Sequence, residues 1–119
     1  MKSFTELDAW KVGLDLVREI HILTGTFPSE ERYELVKQIR RSSKSVLANL
    51  AEGFGRFTYP DKAAKYTIAR GECSETQAFL FISIALNYLT QQDAQKAIEL
   101  SDRTGRLISG LILSTKSRT

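Results

Sequence analysis

The sequence predicts an all-α protein folded as an antiparallel up-down-up-down four-helix bundle, and three observations support this fold class. Long stretches of the 119-residue chain repeat apolar residues every three or four positions, which is the period of an α-helix. The two prolines, Pro28 and Pro60, stand in short joints between these stretches. No segment reads as a confident strand, since the β-compatible run at 79–85 has helical flanks. Short joints make consecutive helices antiparallel neighbours.

The first two helices are predicted from their ends and their apolar faces. Thr5 is the expected N-cap of the first helix, which carries apolar residues three and four positions apart from Leu7 onward. Ser29 is expected to open the second helix, followed by two glutamates that suit the positive end of the helix dipole. Gly53 or Gly55 is expected to end this helix in the left-handed conformation of a glycine C-cap.

The third and fourth helices follow the joint at Pro60. Asp61 suits the first turn of the third helix, which is expected to continue to about Thr90. The fourth helix is expected to begin near Asp93 and to carry an apolar stripe towards Ser114. We therefore expect one domain over 1–119, with helices at about 6–25, 30–54, 61–90 and 93–114.

The composition argues against most enzyme classes. With one cysteine, Cys73, and one histidine, His21, the chain cannot form an internal disulfide and lacks the residues of most metal sites and triads. A di-iron bundle needs Glu-x-x-His motifs, which are absent from this sequence. We expect no catalysis, no cofactor and no metal, and a buried structural role for Cys73. Charges interrupt the first twenty residues, which predicts a cytoplasmic protein without a signal peptide or membrane contact.

Two helices carry more apolar surface than a monomeric bundle needs. The first has a second apolar stripe, through Leu16 and Ile20, beside the one that begins at Leu7. The third has no charged residue from Thr76 to Gln92, yet its dense apolar run of about twelve residues is too short for the roughly twenty that span a bilayer. Large exposed apolar patches usually mark protein contacts, so we predict a homo-oligomer.

The second helix carries the best candidate for binding a polyanion. Four cations follow one another at helical spacing: Lys37, Arg40, Arg41 and Lys44. The net charge of +3 therefore conceals a local basic stripe. Arginine forks match phosphate geometry, and Ser42 and Ser43 offer hydroxyl donors. The other interpretation is a solvated face paired with acids from neighbouring helices.

Arg56 and nearby aromatic residues are weaker candidates. The segment 49–56 contains glycines, but it lacks the preceding strand and the Lys-Ser/Thr ending of a phosphate-binding loop. We interpret it as a glycine C-cap with a Glu52–Arg56 pair, and Asn49 as a hydrogen-bonding residue of the bundle. Five aromatic residues are expected near the second joint, where they would stack bases or pack over the bundle end: Tyr33, Phe54, Phe57, Tyr59 and Tyr66.

Five motifs occur in order along the chain from Phe4 to about Leu89. They are Phe4-x-x-Leu-x-x-Trp10, Thr24-x-x-Phe-Pro28, Glu34-Leu-Val-Lys-Gln-Ile-Arg-Arg-Ser-Ser43, Asn49-Leu-Ala-Glu-Gly-Phe-Gly-Arg56 and Ala69-Arg-Gly-Glu-Cys-Ser-Glu75. Together they resemble a bacterial family of four-helix bundles named for open reading frames in intervening sequences of large-subunit ribosomal RNA. Their order and spacing make the resemblance far more specific than any single motif.

The resemblance implies a bundle that assembles into a ring, a homopentamer in related structures, with a basic surface proposed to bind nucleic acid. It also implies kinship with the accessory protein of diversity-generating retroelements, which works beside a reverse transcriptase. The family has no established catalytic residues, and Cys73 departs from its usual Gly-Ser pattern. The resemblance implies that the family's distinctive positions hold structural or recognition residues. In this sequence they are matched by Gln38, Ile39, Arg40, Arg41, Asn49, Ala51, Glu52, Gly53, Gly55 and Arg56.

Two hypotheses of function follow. The first is a non-enzymatic oligomer that binds RNA or DNA through the four cations of the second helix, with Arg56 as a weaker contact. The second is a protein–protein adaptor, whose ring or bundle surface docks a partner protein without binding nucleic acid directly.

Overall fold

Four long helices form the computed structural model, which describes residues 1–118, and they confirm the predicted all-α four-helix bundle. Within these residues the chain forms no strand, and two short 3₁₀ turns precede the first two helices. The turns are Phe4–Glu6 and Ser29–Glu31, and the helices are α1 (Asp8–Thr24), α2 (Leu35–Phe54), α3 (Tyr59–Ala85) and α4 (Gln91–Lys116).

Neighbouring helices run antiparallel around a square. α1 packs against α2 and α4, α3 packs between the same two helices, and α2 and α4 are diagonal to each other. On α2 and α3, Ser42 meets Thr76 whereas Gly53 meets Tyr66, so residue numbers rise on one helix as they fall on the other. The same reversal holds for the other three pairs of neighbouring helices. Between α1 and α2 the contacts are Gly13–Leu47 and Thr24–Arg40. Between α3 and the end of α4 they are Tyr59–Arg118 and Cys73–Ser101, and between α1 and α4 they are Gly13–Thr104 and Glu19–Lys96.

The core runs the length of the bundle and draws on all four helices. On α1 the stripe through Leu16 and Ile20 is fully buried, whereas Leu14 and Val17 of the adjoining stripe are half-buried at the edge of the core. The other large, fully buried aliphatic side chains are Ile39, Val46, Leu50, Leu80 and Ile108. None of the helices within residues 1–118 has the combination of length and apolar character required to cross a membrane.

The predicted starts of α1 and α2 are wrong. Ser3, not Thr5, is the capping residue, because its Oγ accepts the Thr5 N–H at 3.1 Å and opens a 3₁₀ turn ahead of α1. α2 begins at Leu35, later than predicted. The hydroxyl of Tyr88, in the joint between α3 and α4, donates to Oε2 of Glu31 at 2.7 Å and holds the preceding segment as a separate turn.

The predicted end of α3 is also wrong, because the helix stops at Ala85. Asn87 adopts a φ of 64°, a left-handed conformation that asparagine tolerates, and the Tyr88 N–H donates to a carbonyl in the last turn of α3. This is the Schellman arrangement that ends many helices. Thr90 then begins α4 with a capping box, in which its hydroxyl and the Asp93 carboxylate each accept the other residue's N–H.

Gly53 and Gly55 act differently from the prediction. No glycine within residues 1–118 has a positive φ, and Gly55 ends α2 with a right-handed φ of −80°, so the predicted left-handed glycine cap is wrong. Gly53 lies inside α2, where an added Cβ would be 2.7 Å from Cε1 of the buried Tyr66 ring. The position requires glycine because α3 approaches closely, not because of its backbone conformation.

We predict that Gly53→Ala destabilises the protein by roughly 1–3 kcal/mol, because the new methyl group overpacks the contact with Tyr66. Gly110→Ala on α4 is the matched control: nothing lies within 4 Å of its added Cβ, so the same substitution should stabilise the helix by roughly 0.5–1 kcal/mol. Urea unfolding at one protein concentration measures both effects. Equal effects of the two substitutions would contradict the assignment.

Candidate nucleic-acid interface

The outward face of α2 brings together the four predicted cations. Buried side chains at helical spacing occupy the inward face: Ile39, Ser42, Ser43 and Val46. The outward face forms a concavity of about 560 Å³, lined by Arg32, Tyr33, Val36, Lys37, Arg40, Arg41 and Lys44. The predicted stripe is therefore one continuous surface along the first half of α2.

Arg40 is held against α1. Its Nε donates to Oγ1 of Thr24 at 2.9 Å and its Nη2 donates to the carbonyl oxygen of His21 at 3.4 Å. Thr24 is itself buried and donates its hydroxyl proton to the Ile20 carbonyl at 2.7 Å. Partial desolvation, followed by the charges of Arg40 and Lys44, lowers the pKa of His21, which keeps the imidazole neutral at pH 7. The Arg40 guanidinium is thus oriented before any ligand arrives, which reduces the entropy lost on binding.

Arg41 interacts with the Glu72 carboxylate on α3. Oε2 of Glu72 is buried and has no hydrogen-bond partner among residues 1–118. Desolvation raises the pKa of Glu72. The Glu75 carboxylate raises this pKa further, because Glu75 can accept a hydrogen bond from Glu72 only when Glu72 is protonated. The positive charge of Arg41 lowers the pKa of Glu72. These acids reduce the positive potential around Arg41. The part of the chain that the structure describes contains no cluster of three metal-ligating side chains.

Lys37 and Lys44 are available to a ligand. Both are exposed, and neither forms a hydrogen bond or an ion pair with any residue from 1 to 118. They are seven residues apart on α2, about 10 Å along the helix axis, with the two arginines between them. Their flexible side chains can therefore adjust to the spacing of two phosphate groups.

Arg56 lies outside this concavity. It is twelve residues beyond Lys44, about 18 Å further along the helix axis, and its Nη2 lies 3.0 Å from Oε1 of Glu52. The Nζ of Lys65 lies 3.3 Å from the other oxygen of the same carboxylate. Hydrogen bonds from Arg56 and then Lys65 lower the pKa of Glu52. The structure therefore joins Arg56 to a local ion-pair network and not to the four cations.

The predicted aromatic cluster at the second joint is wrong for Tyr33 only. Tyr33 lies at the joint between α1 and α2, at the opposite end of α2 from the other four rings. Tyr66 is buried against Gly53, whereas Phe57 is 99% exposed at the joint between α2 and α3. Of these five aromatic residues, Tyr33 alone lines the basic concavity. Helical spacing gives no signal for this placement, because Tyr33 precedes the first residue of α2.

The four motif residues near the end of α2 all have local structural roles. Asn49 donates through Nδ2 to the carbonyl of Ser45 at 2.9 Å and to its hydroxyl at 3.1 Å, within the same helix. Glu52 holds two cations, Gly53 admits a ring from α3, and Gly55 is the C-cap. These contacts account for the motif without a ligand.

A second concavity, of about 440 Å³, lies between α3 and α4 and includes Cys73 in its lining. The thiol is buried and donates to the carbonyl of Ser101 at 3.2 Å. Burial, together with the negative charge of Asp102, raises the pKa of Cys73 to about 11. The thiol therefore stays protonated at neutral pH and is a poor nucleophile, in agreement with the structural role expected for it.

Comparison with known proteins identifies one family. The model of the 23S rRNA-intervening sequence protein family matches residues 5–110. Among solved structures, the chain is similar to a protein with unknown function from the S23 ribosomal protein family of Bacteroides thetaiotaomicron VPI-5482, with a TM-score of 0.78 and 25% sequence identity. The match covers 87% of this chain and 94% of that one. No curated protein matches the chain.

We predict that Glu72→Gln stabilises the protein at neutral pH. The pKa of Glu72 is higher in the folded protein than its unfolded value of 4.5. The favourable contribution of this carboxyl to the free energy of unfolding is therefore complete below pH 4.5 and is lost as the pH rises through the folded pKa. The stability difference between Glu72→Gln and the wild type should therefore be small below pH 4.5 and grow towards pH 7. Urea unfolding across this range measures the difference. Ser74→Ala, at an exposed position on α3 that carries no titratable side chain, is the control and should give a constant difference.

Proposed function

The chain belongs to the 23S rRNA-intervening sequence protein family, as its motifs indicated, and from this premise we propose that it is a non-enzymatic homo-oligomer that binds RNA or DNA. Lys37, Arg40, Arg41 and Lys44 are the proposed contacts. The family name refers to 23S rRNA and the similar Bacteroides protein is assigned to a ribosomal protein family, and both descriptions fit a nucleic-acid ligand. The proposed compartment is the cytoplasm, where the free thiol of Cys73 remains reduced.

The concentration of charge in one concavity is the observation that carries this proposal. The whole chain has a net charge of +3, yet four of its cations share about two turns of α2. None of the four forms an ion pair with any residue from 1 to 118, and Glu72 on α3 interacts with Arg41. Such a surface attracts phosphates over several ångströms, and an oligomer repeats it on every subunit. Arg56, paired with Glu52, remains a weaker contact outside the surface.

Self-association is proposed through the outward face of α3. Four large apolar side chains are exposed on that side of the helix: Ile68, Phe81, Ile82 and Leu86. The absence of charge from Thr76 to Gln92 leaves this face suited to a second copy of the chain. The proposed assembly is the ring of five that the family resemblance implies.

The adaptor hypothesis is the second candidate, and one observation favours it. Phe57 is 99% exposed at the joint between α2 and α3, where a phenyl ring with no cover within residues 1–118 would serve as an anchor for a partner protein. Direct binding of purified RNA and DNA by nuclease-treated protein separates the two hypotheses. An adaptor that only docks proteins binds neither probe.

We predict that the double variant Lys37→Glu/Lys44→Glu loses most of its affinity for nucleic acid at low salt. Removing two phosphate contacts should also reduce the slope of log affinity against log salt by roughly 1.4–1.8. Fluorescence anisotropy of a labelled oligonucleotide across a salt series measures both quantities. These two lysines are chosen because they hold no other residue from 1 to 118, so the fold should survive.

Lys11→Glu/Arg103→Glu is the matched control for this double variant. It makes the same change in net charge at exposed positions on α1 and α4, outside the concavity. The control should retain the wild-type salt slope. An equal loss in both variants would show that only the net charge matters, and unchanged binding by Lys37→Glu/Lys44→Glu would refute the assigned surface.

We predict that the protein sediments as a species larger than its 13.4 kDa chain and that Ile82→Lys reduces its mass. A charged side chain in the middle of the α3 face remains solvated in the monomer but must be desolvated in the assembly. Analytical ultracentrifugation at micromolar concentration measures the mass. Ile22→Lys, at an exposed apolar position on α1, is the control and should leave the mass unchanged. A wild-type protein that is monomeric would contradict the proposal.

A further inference from the structure

Tyr33 differs from the other three tyrosines of the chain. Its side chain is 79% exposed and makes no ring contact or hydrogen bond with any residue from 1 to 118. The others are engaged: Tyr66 is buried against Gly53, Tyr88 donates to Glu31, and Tyr59 lies under the guanidinium of Arg118. The packing of the chain therefore gives no reason for an aromatic ring at position 33.

The backbone that carries Tyr33 is held at both ends. On one side, Glu31 accepts a hydrogen bond from the hydroxyl of Tyr88 at 2.7 Å, and on the other side Leu35 is buried in the core. Between them Glu34 departs from helical geometry, with φ −113° and ψ −102°. The chain thus turns outward just before α2, and the ring of Tyr33 is presented to solvent from a fixed backbone.

Tyr33 also lies in the same concavity as the cations. Tyr33 and Val36 form its apolar wall, and Lys37, four residues after Tyr33, lines the same concavity. Lys44, eleven residues after Tyr33, is the last cation in this lining. An aromatic ring beside a line of cations is the chemistry that binds single strands, because a base stacks on the ring while the cations hold the adjoining phosphates.

We propose that this concavity takes single-stranded nucleic acid, with one unpaired base stacked on Tyr33 and the adjoining phosphates on Lys37, Arg40 and Lys44. This inference rests on the nucleic-acid binding proposed above and specifies its ligand.

The shape of the bundle disfavours a duplex. α2 is flanked by α1 and α3 in a bundle 25 by 21 Å in cross-section, whereas the major groove of B-DNA is about 12 Å wide. Its neighbours α1 and α3 would approach the phosphate backbones as α2 entered the groove, and the major groove of an RNA duplex is narrower still. Arg40 has little reach, because its guanidinium is tied to Thr24. In a duplex, moreover, the faces of the bases are already stacked on one another.

The test compares three probes of equal length: oligo(dT), a fully abasic oligonucleotide, and the oligo(dT)·oligo(dA) duplex. Tyr33→Ala should weaken oligo(dT) binding by about 5- to 150-fold, the loss expected for one base stacked on one ring. It should leave binding of the abasic oligonucleotide and of the duplex unchanged, since these offer only phosphates to the concavity. Tyr33→Phe should restore oligo(dT) binding, because stacking needs the ring and not the hydroxyl.

Tyr59→Ala is the matched control, since it removes an exposed tyrosine from the other end of the bundle. If Lys37→Glu/Lys44→Glu weakens binding but Tyr33→Ala does not, the stacking inference is overturned and the basic interface stands. If wild-type protein binds the duplex as tightly as oligo(dT), the single-strand preference is overturned. If no probe binds, or if the double lysine variant binds normally, the proposed nucleic-acid function fails and the inference fails with it.

Discussion

The contact between Gly53 on α2 and the buried ring of Tyr66 on α3 leaves no space for a side chain, so the two helices approach closely there. Further along the same seam, the hydroxyls of Ser42 and Thr76 share a buried hydrogen bond of 2.8 Å. Together these contacts set the rotation of α2 about its own axis. Once Ser42 and its inward neighbours face α3, residues 37, 40, 41 and 44 must face solvent. The basic face is therefore a consequence of how the core packs.

The four cations of this face are not equivalent. Arg40 is tied to α1 through Thr24, which links the orientation of its guanidinium to the packing of two helices. Arg41 interacts with the Glu72 carboxylate of α3, while Lys37 and Lys44, on either side, are exposed and form no hydrogen bond or ion pair with residues 1–118. One oriented donor between two adaptable ones combines low entropy loss with tolerance of variable phosphate spacing. Such an arrangement suits binding that depends weakly on base sequence.

The basic face and the apolar face lie on neighbouring helices. α2 presents the cations, and α3 presents Ile68, Phe81, Ile82 and Leu86 to solvent. In the proposed oligomer, burial of the α3 face would order the subunits and repeat the basic concavity around the assembly. Charges within about 8–10 Å of one another reinforce each other before salt screens them, so the benefit depends on how closely adjacent concavities approach.

The sequence by itself determined the four helices and the shared face of Lys37, Arg40, Arg41 and Lys44, because both depend on residues within a few positions of one another along a single helix. The family motifs are likewise short stretches of sequence, which are visible without the tertiary structure. Tertiary structure decided that α2 begins after the turn that Tyr88 holds, that Tyr33 joins the cations and not the aromatic residues of the second joint, and that Arg56 remains apart. These features depend on contacts between residues distant in the chain, which helical periodicity cannot encode because it leaves the register between helices open.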